Sequence, residues 1–512
     1  MDVETKLMQL SSLNQNEKRI FIGELDMIWN VYGVEKCIYE IFPYFIEYSL
    51  VNEQDIINTL ESLTKIDFEV LSSNQFNHFM RLLRNFAEID SLFVVNALAC
   101  LIFHVLKGRK AEDISGVLYP FISELILKSE WIPDQVSGTC ILKHVYYLIN
   151  DELLDELIAK ISKSIGKFSV HGKLIYCDFS KVVYSNISDE SKDNILDSIE
   201  SLSSETNVAV LSKICSVLCA FLDSSDFCLS IIKRLSKNPH YYVRMSLAIN
   251  LHTYKTLSES HLNQLLKLLV NDTEPEVRIG AAQSLPHIFE HSQFEQVKPF
   301  INNLMNDNHE YVKSAALNTL EHFAEDDQLF FNENILLALS DDNTSVKQTA
   351  ISLLKQAQGI FSSNSDLIPV ILTKFSFREK YQVASQLDMN FDMSLFENLL
   401  FDDCYEVRNQ AILSISRYIQ LIGIDLLRSK LIITVNKTFS SCEYQIRQTG
   451  IELAATLNLF PHISDLIDAA IHDPISNVRI VLAKHIDKLS NNQIKQLMLD
   501  SDPEVKEYLK KD

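Results

Sequence analysis

Glycine and proline are scarce, with 11 of each in 512 residues against ordinary usage of about 7% and 5%. Strands joined by tight turns need residues that accept positive φ, so the shortage works against a β architecture; helices joined by polar turns need few. Positive charge is also in deficit. With 46 Lys plus Arg against 68 Asp plus Glu, the formal charge of −22 repels phosphate backbones, so no nucleic-acid partner is expected beyond what a local basic patch could hold. A long apolar run is missing too: FVVNALACLIFHVL at 93–106 is too short to cross a bilayer and is interrupted by Asn96 and His104, which predicts a buried helix and no membrane insertion. The start, MDVETKLMQLSS, lacks the basic, apolar and small-residue regions of a secretory signal. Nine cysteines, an odd number, are scattered without metal-knuckle spacing, as suits thiols of a reducing compartment. Cys215 and Cys219 would share a helix face as core thiols. The expected location is cytoplasmic, with the nucleus also compatible.

What is present is a repeat. With 47% hydrophobic residues the chain can fill a continuous core. NPHYYVRMSLAINL, NDTEPEVRIGAAQSL, NDNHEYVKSAALNTL, DDNTSVKQTAISLL, DDCYEVRNQAILSI, SCEYQIRQTGIELA, DPISNVRIVLAKHI and DSDPEVKEYL share one template. Val243–Arg244, Val277–Arg278, Val312–Lys313 and Val346–Lys347 are spaced 34 or 35 residues apart, and Val407–Arg408, Ile446–Arg447 and Val478–Arg479 continue less regularly. Such a period signals a solenoid. Apolar residues at i, i+4, i+5 and i+8, as in Val277, Ala281, Ala282 and Leu285, make one helix face. Segments such as HLNQLLKLLV and VKPFINNLM lie between, so each repeat is a helical hairpin. The predicted fold is an all-α, α-α superhelix of about 13 to 15 stacked hairpins.

Asp272, Asp307, Asp341, Asp402, Asp473 and Asp500 each precede a basic residue by six positions. There a carboxylate can accept backbone N–H bonds at a helix start and face the positive dipole end. The base can meet an Asp of its own or the adjacent repeat, giving a structural polar ladder; recurrence in successive units is what stacking requires and one active site does not. Tyr241, Tyr381, Tyr405 and Tyr444 each stand two positions before an aliphatic residue of the template. In stacked repeats they would line the ridge of turns, where exposed aromatics make a protein-binding edge.

These strings match HEAT repeats, and the chain resembles the scaffold (A, or PR-sixty-five) subunit family of protein phosphatase 2A. The resemblance lies in YGVEKCIYEIFPYFIEYSLVNEQDIINTLESL at 32–63, EWIPDQVSGTCILKHVYY at 130–147, NDNHEYVKSAAL, and DPISNVRIVLAKHIDKL near the end. It implies a single solenoid over 1–512 that holds a variable regulatory subunit on repeats in 1–300 and a phosphatase catalytic subunit on those in 365–512. Catalytic-subunit contacts fall on Tyr381, Tyr405, Tyr444 and Ile475; regulatory-subunit contacts fall on Tyr241 and on Tyr242, which replaces an Arg. Gln382 and Ala384 stand where the family has arginines, and His171 with Gly172 stands where it has an Arg pair. The chain is shorter than the family norm, 150–235 match the template weakly, and Val383 to Val407 leaves room only for a cut-down hairpin.

No catalytic motif is complete. SIGKFS at 164–169 lacks the first glycine and the Ser/Thr after Lys of a phosphate loop. There is no Gly-x-Ser-x-Gly elbow and no His-Glu-x-x-His helix, and His287 with His291 is read as surface rather than metal-binding. No cofactor is expected. Three readings follow: a noncatalytic phosphatase scaffold; a HEAT adaptor for transport or vesicle coats whose acidic surface binds basic cargo; and, disfavoured by the missing metal pairs, a HEAT-type enzyme such as a lyase.

Overall fold

The computed structural model describes residues 14–509 apart from 110, 129–131, 223–224, 255–256, 358–359, 361–364, 388–391 and 426. The start read for a leader, the Glu130–Trp131 pair of the second resembling string and the middle of the shortened hairpin lie outside the described residues. Among the described residues there are helices and no strands, alternating as hairpins, so the chain is an all-α helical-repeat solenoid. It forms two compact units, Met1–Ala281 and Ala282–Asp512.

Within each unit the second helices of successive hairpins pack on one another. Those used below are α1 (Leu92–Leu106), α2 (Ile132–Val145), α3 (Val170–Val183) and α4 (Tyr241–Asn250) in the first unit. In the second unit they are α5 (Glu310–His322), α6 (Thr344–Leu353), α7 (Phe377–Ser385), α8 (Tyr405–Ile422), α9 (Tyr444–Thr456) and α10 (Ser476–Ala483).

The spacing seen in the sequence is the core. Val312, Ala316, Leu317 and Leu320 on α5 are buried, as are Val407, Ala411, Ile412 and Ile415 on α8. Small residues set the helix separation. A Cβ on Gly450 of α9 would overlap the Thr438 hydroxyl and lie 3.0 Å from Phe439 Cδ2, both on the preceding helix Arg428–Phe439.

The stretch at 93–106 is the buried helix expected: α1 hides Val94, Val95, Leu98, Ala99, Leu101 and Ile102. No described helix is long and apolar enough to cross a membrane. All nine cysteines are free, and burial pushes the Cys215 thiol up to about 12. Among the described residues no group of three His, Cys, Asp or Glu is arranged to hold a metal ion.

Candidate protein-docking edge

Each template helix begins so that the aliphatic residue is its third member and the base its fourth: Val243 and Arg244 on α4, Val312 and Lys313 on α5, Ile446 and Arg447 on α9. That register sends the base back over its own turn and forward to the next repeat. Arg447 Nη1 donates to the carbonyls of Ser441 (2.9 Å) and Cys442 (3.1 Å), while Nε and Nη2 donate to Asp473 at 2.6 and 2.9 Å. Arg244 treats Asn238, Pro239 and Asp272 alike, and Arg479 reaches Asp473's carbonyl and the Asp500 carboxylate. Lys313 pairs with Asp341 at 2.6 Å. The carboxylate also accepts the N–H two residues on, as Asp473 does from Ile475 (2.9 Å) and Asp341 from Asn343 (2.8 Å). The predicted ladder is therefore real, and its rungs join neighbouring repeats.

Electrostatics follow from the geometry. Burial raises the Asp473 carboxyl, but the Arg447 hydrogen bond, the Ile475 N–H and the charges of Arg447 and Arg479 outweigh it and hold it below its ordinary value. Asp272 and Asp341 show the same balance. For Asp500 the Arg479 hydrogen bond is the largest influence, and its carboxyl is likewise lowered.

Two rungs depart from the pattern. Lys374 stands where α7's turn should carry Asp, and Lys347 turns instead to Glu379 (3.3 Å), which occupies the usually aliphatic third position of α7. Ser441 stands in that place before α9, and among the described residues no carboxylate takes over: Arg408 Nε donates to the Thr449 hydroxyl at 2.9 Å and Nη1 to the carbonyls of Asp402 and Asp403. The weakly matching 150–235 region holds a rung as well. Lys173, fourth residue of α3, meets Glu205 at 2.6 Å, but Gly172 replaces the aliphatic residue that marks the motif elsewhere.

The predicted contact residues lie as follows. Tyr241, Tyr405 and Tyr444 are the first residues of α4, α8 and α9; Tyr241 and Tyr405 are exposed and Tyr444 is half-buried. Tyr242 is exposed beside Tyr241, their rings edge to face with centroids 6.2 Å apart. Ile475 is the exposed residue that caps α10. Tyr381 does not sit in the turn. Ser376 and Glu379 form a capping box that starts α7 at Phe377, so Tyr381 lies one turn further in, in the row of Asn409 and Gln448. The first-position aromatic of α7 is Phe377, 56% exposed, which sequence reading missed although Ser376-x-x-Glu379 announces the cap.

Around Phe377, Tyr405 and Tyr444 stand exposed carboxylates on the same turns: Asp403, Glu406 and Glu443, with Asp342 one repeat earlier. In the first unit a cavity of about 960 Å³ opens among the starts of α1, α2 and α3, walled by Leu92, Val95, Ile132, Val136, Leu174 and Ile175, with His171 at its rim. In the second unit a smaller, polar cavity of about 230 Å³ lies between α8, α9 and α10, bordered by Tyr405, Arg408, Gln445, Gln448, Thr449 and Lys484.

Residues 229–321 and 262–355 match the model described as HEAT repeats. Among solved structures, the chain is similar to a Kap121p mutant and to Kap121p bound to Pho4p, each with a TM-score of 0.50 at 12% identity. These matches cover 99% of this chain and 56% of that one, so the chain spans little more than half the length of Kap121p. Importin beta also matches, with a TM-score of 0.45 at 10% identity over 95% of this chain and 73% of that one. No curated protein matches in sequence. The expected phosphatase-scaffold function is corrected by these matches: the solved structures with which the chain shares its fold are of Kap121p and not of a phosphatase subunit. The physical reason shows in the ladder: in NDNHEYVKSAAL and DPISNVRIVLAKHIDKL, two of the four strings that carried the resemblance, the aliphatic–base pair and preceding aspartate are what stacking demands, so they mark the repeat class and not one family within it.

Proposed function

We propose that the chain is a noncatalytic adaptor of the transport type, which docks a basic segment of a cargo protein along the turn edge of its second unit and moves between cytoplasm and nucleus. The observation that carries this reading is the edge itself: Phe377, Tyr405 and Tyr444 at the same helical position of three successive repeats, interleaved with the exposed carboxylates of Asp403, Glu406 and Glu443. Aromatic faces attract Lys and Arg, and nearby carboxylates add charge complementarity. Lys347, Lys380, Arg447 and Arg479 are already paired within the ladder, while Arg378 lies 5.8 Å from the Phe377 ring centre and Arg408 5.9 Å from that of Tyr405, so a cargo cation shares those two rings with the chain's own guanidinium groups. The net charge of −22 steers basic partners in and acidic ones away. Kap121p, similar in fold, is seen bound to another protein, Pho4p.

Fluorescence anisotropy of a labelled Lys/Arg-rich peptide against the full chain tests the reading. Binding is expected at low salt, weakening by roughly tenfold or more on moving from 50 to 300 mM salt as exposed charge pairs are screened. No binding at 50 mM salt, or equal affinity after exchanging Asp403, Glu406 and Glu443 for their amides, would overturn it.

A further inference from the structure

Arg408 is a ladder arginine without a ladder partner. The residue is 4% exposed, and among the described residues no carboxylate lies within ion-pair distance of it. Nη1 holds the carbonyls of Asp402 (2.7 Å) and Asp403 (2.9 Å), as in the complete rungs. The other two nitrogens differ. In Arg447 and Arg479 both Nε and Nη2 grip one carboxylate; in Arg408, Nε has only a neutral hydroxyl and Nη2 has no hydrogen bond. The nearby acids make their hydrogen bonds elsewhere, Glu452 with His485 at 2.9 Å and Glu406 with the Cys404 thiol at 3.0 Å; the Arg408 charge acts on Glu406 only at longer range, and the Tyr405 ring centre lies 5.9 Å from the guanidinium. A guanidinium this buried is ordinarily matched by a charge.

Arg408 lines the polar cavity between α8, α9 and α10, where Gln445, Gln448 and Lys484 offer further donors and the one acid of the lining, Glu452, is held by His485. At about 230 Å³ it has room for one small acidic group and not for a nucleotide-sized ligand. We propose that Arg408 receives a single carboxylate carried by a docked protein partner, an Asp or Glu side chain that completes the rung left open by Ser441. The chain's strong negative charge repels acidic proteins at long range, so the partner is a basic or neutral one with an isolated acid; that acid would fix the register in which it docks. The inference goes beyond the adaptor reading and does not depend on it.

The test uses the full chain and measures its thermal unfolding midpoint against increasing N-acetyl-aspartate N-methylamide at constant ionic strength, with the asparagine analogue and inorganic phosphate in parallel. The aspartate analogue is expected to raise the midpoint and the asparagine analogue to leave it unchanged. Ser441→Asp supplies the missing carboxylate from within: its baseline midpoint should rise by on the order of 2 °C, and it should no longer respond to the aspartate analogue. Adding Arg408→Gln to Ser441→Asp should abolish that gain. Equal responses to both analogues, a response to phosphate alone, or a Ser441→Asp midpoint at or below that of the unaltered chain would each overturn the proposal.

Discussion

Arg447 and Asp473, 26 residues apart, are joined by two parallel hydrogen bonds, Nε to Oδ2 at 2.6 Å and Nη2 to Oδ1 at 2.9 Å, with both side chains largely withdrawn from water. Because Arg447 Nη1 also holds its own turn, one side chain locks the start of α9 and fastens the next repeat to it. Sequence period, turn geometry and repeat stacking meet in this one residue.

Removing Asp473 should therefore cost more than removing an exposed acid of the same ridge. Asp473→Ala strands a buried guanidinium, and breaking such a pair from one side costs about 3 kcal/mol or more. Asp403→Ala, at an exposed position, should stay within about 0.5 kcal/mol. Urea unfolding of the two variants checks this. Equal losses would show that the rung contributes nothing beyond an ordinary surface charge.

Acid should dissolve the ladder. Asp272, Asp341, Asp473 and Asp500 are held below their ordinary values in the folded chain, so they take up protons more readily when unfolded. Their contribution is fully present above the unfolded value of about 3.9 and is lost as pH falls through the lower folded values. Stability from these groups should be level between pH 7 and pH 5 and decline below about pH 4. In Asp473→Asn that acid-side decline should be shallower, which unfolding midpoints across pH would reveal.

Gly450 should not tolerate a side chain. Its backbone meets Thr438 and Phe439 so closely that even a methyl group must displace them. Gly450→Ala gains helix propensity, worth about 1 kcal/mol at most, but overpacking of this kind costs about 1 to 3 kcal/mol, so net destabilisation is expected. Gly450→Ala paired with Thr438→Ala, which removes the hydroxyl that the new methyl group would overlap, should recover part of the loss in the same unfolding assay.

The fold was legible because one physical demand, burying a helix face against the next repeat, is written again at each period. Val312, Ala316, Leu317 and Leu320 state it, and all four are buried. The same redundancy misled the functional reading. Val-Arg with an Asp six residues before it serves stacking wherever repeats stack, so its likeness to one family carried no information about partners. Region 150–235 was obscure for the opposite reason: Lys173 and Glu205 form a rung, but Gly172 removes the aliphatic marker by which rungs were recognised. Arg408 could not have been singled out from sequence, because whether a missing Asp is replaced by a distant acid, as Glu379 replaces one for Lys347, depends on packing.

The register of α7 supplies a last prediction. Matching Tyr381-x-Val383 to the other turn motifs places Tyr381 on the edge, whereas the Ser376–Glu379 capping box starts the helix at Phe377 and leaves Tyr381 one turn inside. Val383, Ala384 and Leu387 then fall at the second, third and fourth apolar positions of the template, and all are buried; Lys380 falls at the position of the base and meets Asp402 at 2.7 Å. If docking uses the row of first-position aromatics, Phe377→Ala and Tyr405→Ala should each weaken binding of a basic peptide by about 1 to 2 kcal/mol, with helical content by circular dichroism unchanged. Tyr381→Ala should have the smaller effect. A larger loss at Tyr381 than at Phe377 would move the contact from the turn edge to the inner row formed with Asn409 and Gln448, where the partner would lie across the helices and not along their starts.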